Sequence, residues 1–168
     1  MGFNISGLII NHNYEKSLKN LEHDFGWGIK ITEEINFDQA SANWTPEGEF
    51  RLHFSDKATL IFFPMNWVDY EYKSSHSDTL NYAYSATGMT FQMDLFKSGK
   101  RVRSILEIEG DRTIDEGRKL AIEKNHDSAA GLIFALIDKL LGAKLGSIKY
   151  DAKSYRCEAT NSIQSFHR

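Results

Sequence analysis

The chain has 168 residues with 41% hydrophobic, 12% aromatic and 26% charged side chains, and a formal charge of −3 from 20 basic against 23 acidic groups. That length and apolar content suit one globular domain, here read as residues 1–168, able to bury a core without metal or disulfide support. With only 2 Pro, 12 Gly and a single cysteine, Cys157, the composition excludes collagen, wholesale disorder and an internal disulfide, and the slight acidic excess supplies no basic footprint for nucleic acid.

The first strand is expected over Phe3 to Ile10. Asn13 is placed to cap a helix running to Phe25, because Tyr14, Leu18, Leu21 and Phe25 recur on one helical face and Gly26 follows as a stop. Trp27, Ile29, Ile31, Ile35 and Phe37 then share one parity, as in a strand. Glu33 shares it too, so an unbroken strand would bury a carboxylate there; a bulge at Thr32–Glu34 would put both Glu33 and Glu34 outside.

Two hairpins follow. In the first, a three-residue loop Ser55-Asp56-Lys57 would oppose Phe54 to Ala58, Leu52 to Leu60 and Phe50 to Phe62, all on one face. In the second, a two-residue Ser98–Gly99 turn would oppose Leu95 to Val102, Phe91 to Leu106 and Met89 to Ile108 inward, and Asp94 to Arg103 outward. Asp127 or Ser128 can cap a last helix through Leu141, stopped by Gly142 and apolar around much of its circumference. Residues 143–168 carry scattered aromatics (Tyr150, Tyr155, Phe166) with no clear period. The order predicts an α+β fold: a mostly antiparallel sheet built from hairpins, with two main helices packed on one face.

No phosphate-binding glycine loop, dinucleotide fingerprint, nucleophile elbow or HExxH motif occurs. The six histidines are mutually remote in sequence, so no local ligand pair forms, and no metal or cofactor is expected. His76 and Asp78 lie among Ser74, Ser75 and Ser77, which would allow a hydrolytic site only if the fold assembled one. Cys157 follows Arg156, a neighbour able to lower a thiol pKa, but a packed thiol is the simpler reading. The longest near-apolar run, Ala129 to Ile137, is too short to span a bilayer, and no leader-like segment opens the chain. A soluble, cytoplasmic protein is therefore expected, with no membrane or nucleic-acid partner.

Charge is unevenly distributed. Between Ile31 and Phe96 stand ten acidic side chains against three basic ones, a local charge of −7 that leaves +4 elsewhere. The same stretch holds Trp44, Trp67, Tyr70, Tyr72, Tyr82 and Tyr84. Aromatic anchors with acidic steering groups suit an interface for a basic protein. The expected partner-binding residues are Glu33, Glu34, Trp44, Trp67, Asp69 and Glu71. The plain alternative is that the rings face the core and the acids solvate strands; a homodimer burying Trp44 or Trp67 is a further possibility.

The run Phe91-Gln92-Met93-Asp94-Leu95-Phe96-Lys97-Ser98-Gly99-Lys100-Arg101-Val102-Arg103-Ser104, with Glu109-Gly110 and Asp115-Glu116-Gly117-Arg118-Lys119-Leu120 after it, resembles a pattern in small bacterial proteins of the toxin-immunity type. The resemblance covers about a fifth of the chain. It implies a cytoplasmic bacterial protein that blocks a secreted toxin without catalysis, and it fixes no site residues. The competing expectation is a small enzyme or ligand-binding domain with a site assembled in space around Glu33 or His76.

Overall fold

The computed structural model describes residues 2–160; Phe166, grouped above with the scattered aromatics, lies outside them. Nine strands form one antiparallel sheet: β1 (Asn4–Ile10), β2 (Ile29–Asn36), β3 (Glu49–Phe54), β4 (Thr59–Phe62), β5 (Thr79–Ser85), β6 (Thr90–Lys97), β7 (Lys100–Ile108), β8 (Asp111–Gly117) and β9 (Lys153–Ala159). Their order is β2-β9-β3-β4-β1-β5-β6-β7-β8. The helices are α1 (Leu18–Phe25), the one-turn α2 (Phe37–Ala40) and α3 (Ala129–Leu141). The fold is α+β on an antiparallel sheet, as the pattern predicts. No helix among the described residues is long and apolar enough to cross a membrane.

The helices differ from expectation in one respect. They lie on opposite faces of the sheet. Leu132, Ile133, Leu136 and Ile137 of α3 pack with Ile5, Ile9, Leu60, Phe62, Leu80 and Met93. Leu21 of α1 packs with Leu8, Ile10, Phe50, Leu52, Ile61 and Phe63. Successive residues of β1 thus serve two cores, and every residue of β1 and β4 is buried. The sequence signal was the unbroken apolar runs Leu8-Ile9-Ile10 and Leu60-Ile61-Phe62, which mark strands covered on both sides rather than one. Each side chain sealed this way contributes roughly 1.5–3 kcal/mol relative to exposure.

That double burial also explains the first hairpin. Leu52 opposes Ile61 and Phe54 opposes Thr59, one residue out of the expected register. Ser55 and Ala58 close the turn, Ser55 N–H donating to the Ala58 carbonyl at 2.9 Å, so the loop holds two residues and not three. The slip moves Leu60 and Phe62 to the α3 face. Both registers bury apolar groups, so alternation alone could not choose between them.

In the second hairpin the Ser98–Gly99 turn stands, both residues having positive φ (47° and 79°), as a tight turn matched to strand twist requires. Phe96 pairs with Arg101, but Leu95 pairs with Arg103. Val102 is the extra residue of a bulge, which shifts every pair beyond it: Asp94 opposes Ser104, not Arg103. Arg103 is therefore turned to the α3 face and fully buried.

Elsewhere the local readings hold in part, with Phe37, expected in the second strand, opening α2 instead. The helix expected from Asn13 starts later, at Leu18, because the Asn13 side chain is spent on the Glu15 N–H (2.7 Å) and the Ser55 carbonyl (2.8 Å). Gly26 and Gly142 end α1 and α3 in the left-handed conformation (φ 70° and 74°), and the Ser128 hydroxyl caps α3 by accepting from Gly131 N–H at 3.2 Å. The register of β2 breaks between Ile31 and Glu33, which leaves Glu33 and Glu34 exposed on the edge strand.

Candidate functional site

The six residues expected to bind a partner do not form one surface. Trp67 is buried, its ring 6.0 Å from Trp27, 5.9 Å from Phe63 and 6.3 Å from Phe50. It is a core residue, because the 3-10 turn Met65–Trp67 folds over the α1 face of the sheet. Glu33 pairs with Arg156, and Glu34 with Lys153 at 3.2 Å, both across the β2–β9 ladder. Asp69 is exposed, and Glu71 reaches Arg101 of β7 at 3.9 Å. Six strands stand between β2 and β7, seven spacings of about 4.8 Å or roughly 34 Å. That is well beyond the Debye length of about 8–10 Å, so these carboxylates share no common field. Tyr72 and Tyr82 are buried as well.

Trp44 is different. It is 56% exposed and has a positive φ of 56°. Its N–H donates to the Asn4 carbonyl at 3.1 Å, and Asn43 ties the same loop to β1 by accepting from Asn4 N–H (3.0 Å) and donating to the Gly2 carbonyl (2.9 Å). The loop is thus fixed to the start of β1 and holds an indole outward.

Other large apolar side chains gather at that end. Phe3 and Met89 are exposed; Ala86, three residues before Met89, donates its N–H to the Phe3 carbonyl. Phe3 also walls an open hollow of about 600 Å³ between the sheet and the C-terminal half of α3. Phe37, Phe62, Phe134 and Tyr150 supply further aromatic walls, with Ile5, Leu145 and Ile148 between them. Tyr150 stands 74% exposed, held by its carbonyl accepting from Asp38 N–H at 2.9 Å. Phe134 stacks on Phe3 at 5.8 Å and meets the tilted ring of Tyr84 at 4.8 Å, continuing the aromatic wall onto β5.

Few polar groups line this hollow. Asp138 is committed: it accepts from Leu145 N–H at 2.8 Å and pairs with Lys144 at 3.3 Å, which fixes the turn after α3. Asp38 lines the opposite side and is in no ion pair among the described residues. The arrangement can seat an apolar group next to one available carboxylate. Sequence reasoning missed this site: its walls come from β1, α2, β4, α3 and the Leu145–Tyr150 segment, and Tyr150 stands between Lys149 and Asp151 with no periodicity to mark it.

The histidine expectation has a partial counterpart. His12, His23 and His76 converge with Tyr14 and Asp24 around a smaller hollow of about 340 Å³. Tyr14 donates its hydroxyl to Asp24 Oδ2 at 2.7 Å, and the His12 ring meets the Tyr14 ring edge-on at 4.5 Å. Burial, reinforced by Asp24, pushes the Tyr14 phenol up to about 12, so it serves as a donor near neutral pH. Among the described residues no group of three or more His, Cys, Asp or Glu is arranged to hold a metal. Glu33, the other proposed centre of an assembled site, lies on the exposed edge in its ion pair with Arg156.

Cys157 is fully buried in the α1-side core, and burial, assisted by Glu49, pushes its thiol up to about 12. It is the packed thiol of the plainer reading. In the native protein Cys157 is expected to resist a disulfide reagent such as Ellman's at pH 8, and to react in full once denaturant is added, as followed by thiolate absorbance. Rapid labelling of the folded chain would show that this β9 position is open.

No protein-family model, curated protein or solved structure matches this chain.

Proposed function

We propose that the chain is a non-catalytic binding protein that takes an apolar side chain of a basic protein partner into the aromatic-walled hollow. The observation that supports this most is the gathering of exposed Phe3 and Tyr150 on an apolar hollow, with Asp38 unpaired on its wall and exposed Trp44 on a loop bonded to Asn4, the neighbour of Phe3. Aromatic residues at a rigid, partly desolvated site are the usual anchors of protein interfaces, and contiguous apolar exposure marks such surfaces. Asp38 steers a cationic flank toward the hollow. A bacterial toxin blocked by a cytoplasmic immunity protein is the partner class that the sequence resemblance names. In this reading recognition moves from the acidic flank expected from sequence to the β1 end of the molecule, and Trp44 is the residue common to both.

The test uses Gly146, which lines the hollow and where an added Cβ meets nothing within 4 Å. Gly146→Trp fills the hollow from a position that tolerates a side chain. The chain is mixed with the product of the toxin gene adjacent to its own, and complex formation is followed by calorimetry and by Trp44 emission. Trp27 and Trp67 are buried, so in the wild type and in Tyr150→Ala a blue shift reports Trp44, and Gly146→Trp, which adds an indole of its own, is read by calorimetry. A complex at micromolar concentration is expected, weakened about tenfold or more by Gly146→Trp and by Tyr150→Ala, as loss of an anchor implies. A complex indifferent to both variants would overturn the assignment. A small apolar molecule retained in the native mass spectrum would transfer the hollow to ligand binding, which its volume also permits.

A further inference from the structure

The opposite end of α3 carries a second concavity, of about 720 Å³, between edge strand β8, the 3-10 turn Ala121–Asn125 and the start of the helix. Its lining includes four cations, Arg112, Arg118, Lys119 and Lys124, with His126 beside them and two carboxylates, Glu123 and Asp127. Glu123 does not neutralise the mouth. It is spent on buried Arg103, which donates from Nε at 2.7 Å and from Nη2 at 2.9 Å, and on the Leu120 N–H at 2.9 Å. Arg112 is aimed by Glu107 (3.4 Å) and by the Asp127 carbonyl (3.2 Å). Arg118, Lys119 and Lys124 are exposed and in no ion pair among the described residues.

We propose that this cleft binds a ligand carrying clustered phosphates. Three unpaired cations facing one concavity repel each other, and a compact polyanion relieves that repulsion with several charge-assisted hydrogen bonds at once. Arg112, held by Glu107 and the Asp127 carbonyl through Nη2 and 3.9 Å from Asp115 through Nη1, adds a fixed positive wall, while Arg118, Lys119 and Lys124 supply the free donors. The concavity has the size of a small-molecule site and not of an extended groove, which favours a polyphosphate chain, free or carried by a nucleotide, over a nucleic-acid strand. This proposal is independent of the aromatic hollow, since the two sites sit at opposite ends of α3 and share no lining residue.

The probes are inorganic tripolyphosphate, ATP, sulfate and a short oligothymidylate, each titrated into the full chain by calorimetry. One equivalent of tripolyphosphate is expected to bind with Kd below about 1 mM, more weakly as salt rises. The triple variant Arg118→Gln, Lys119→Gln, Lys124→Gln is expected to weaken it about tenfold or more, while Gly146→Trp leaves it unchanged. ATP equal to tripolyphosphate makes the phosphate chain the recognised part; tighter ATP assigns a nucleotide. Sulfate binding as well as tripolyphosphate, binding undiminished in the triple variant, or binding of the oligonucleotide alone would each overturn the proposal, as would no binding of tripolyphosphate at millimolar concentration.

Discussion

Replacing Arg103 by methionine is expected to destabilise the protein by about 3 kcal/mol, because it strands carboxylates that the guanidinium now satisfies. The Arg103 side chain is 0% exposed, and Glu123, its bidentate partner, is only 9% exposed. Asp115 approaches it at 2.5 Å and the Glu116 carbonyl accepts from Nη1 at 2.8 Å. Methionine fills the same space but satisfies none of these groups. The paired variant Arg103→Met, Glu123→Leu is expected to recover about half the loss, since a buried ion pair exchanged for apolar groups is often near neutral. Recovery stays partial, because Glu123 also accepts from Leu120 N–H. Urea midpoints at constant slope measure both. The pH dependence has a defined sign. Hydrogen bonds from Arg103 hold the Glu123 and Asp115 carboxyls below the ordinary carboxylate range. Groups with depressed native pKa values favour folding above their unfolded pKa and lose that contribution as pH falls through the native value. The gap between wild type and Arg103→Met should therefore be full at pH 7 and narrow below about pH 4. A gap that stays constant on acidification would show that Arg103 acts through packing alone. The same variant frees the Glu123 carboxylate to face the cations of the basic cleft, so tripolyphosphate affinity should fall with stability.

How far the sequence went depended on whether an element had one possible environment. The α3 helix was readable to within a residue: of the two cap candidates, Asp127 and Ser128, Ser128 caps it, and Gly142 stops it, both local backbone requirements independent of tertiary packing. The bulge in β2 was readable because burying Glu33 would have been costly, and the chain places it at the exposed edge. The two hairpin registers were not readable, for different reasons. In β3–β4 both faces are buried, so a slip of one residue costs no apolar burial that patterning can detect. In β6–β7 the turn was right, but the Val102 bulge is fixed by what lies beyond the hairpin: it carries Arg103 under α3 to meet Glu123, twenty residues on. The same non-locality hid the candidate sites. Trp44 and Trp67 both fall in the acidic part of the chain, but Trp67 follows the apolar run Leu60-Ile61-Phe62-Phe63 and its turn Met65–Trp67 folds onto the core, whereas the Trp44 loop, among polar neighbours, is tied by a backbone bond to β1 and leaves its ring outside. The aromatic hollow joins residues from Phe3 to Tyr150 that no spacing relates.

Gly7→Ala, a change of one methyl group, is expected to cost about 3 kcal/mol or more, comparable to emptying a core position. Gly7 sits in the middle of β1, paired with Phe62 of β4 on one side and Tyr82 of β5 on the other. A Cβ built there would lie 1.9 Å from the Ile61 carbonyl oxygen and 3.3 Å from the Phe62 Cα. Both obstacles are backbone, so no rotamer change relieves the overlap. The β1–β4 ladder itself must open, at the centre of the sheet where both cores meet. Glycine in a strand interior otherwise weakens it through entropy and lost packing, so its presence at this position marks a close backbone approach. The contrasting control is Gly146→Ala, where the added carbon meets nothing within 4 Å and stability should change by less than about 0.5 kcal/mol. Thermal unfolding separates the two: a loss of roughly 3 kcal/mol corresponds to a fall of about 6–12 °C for a chain of this size. If Gly7→Ala melts with the wild type, the β1–β4 spacing is wider than described. The α3-side and α1-side cores would then not be held as tightly together through β1, and the aromatic hollow, whose floor includes Ile5 and Phe62 of those two strands, would lose the rigidity its proposed role requires.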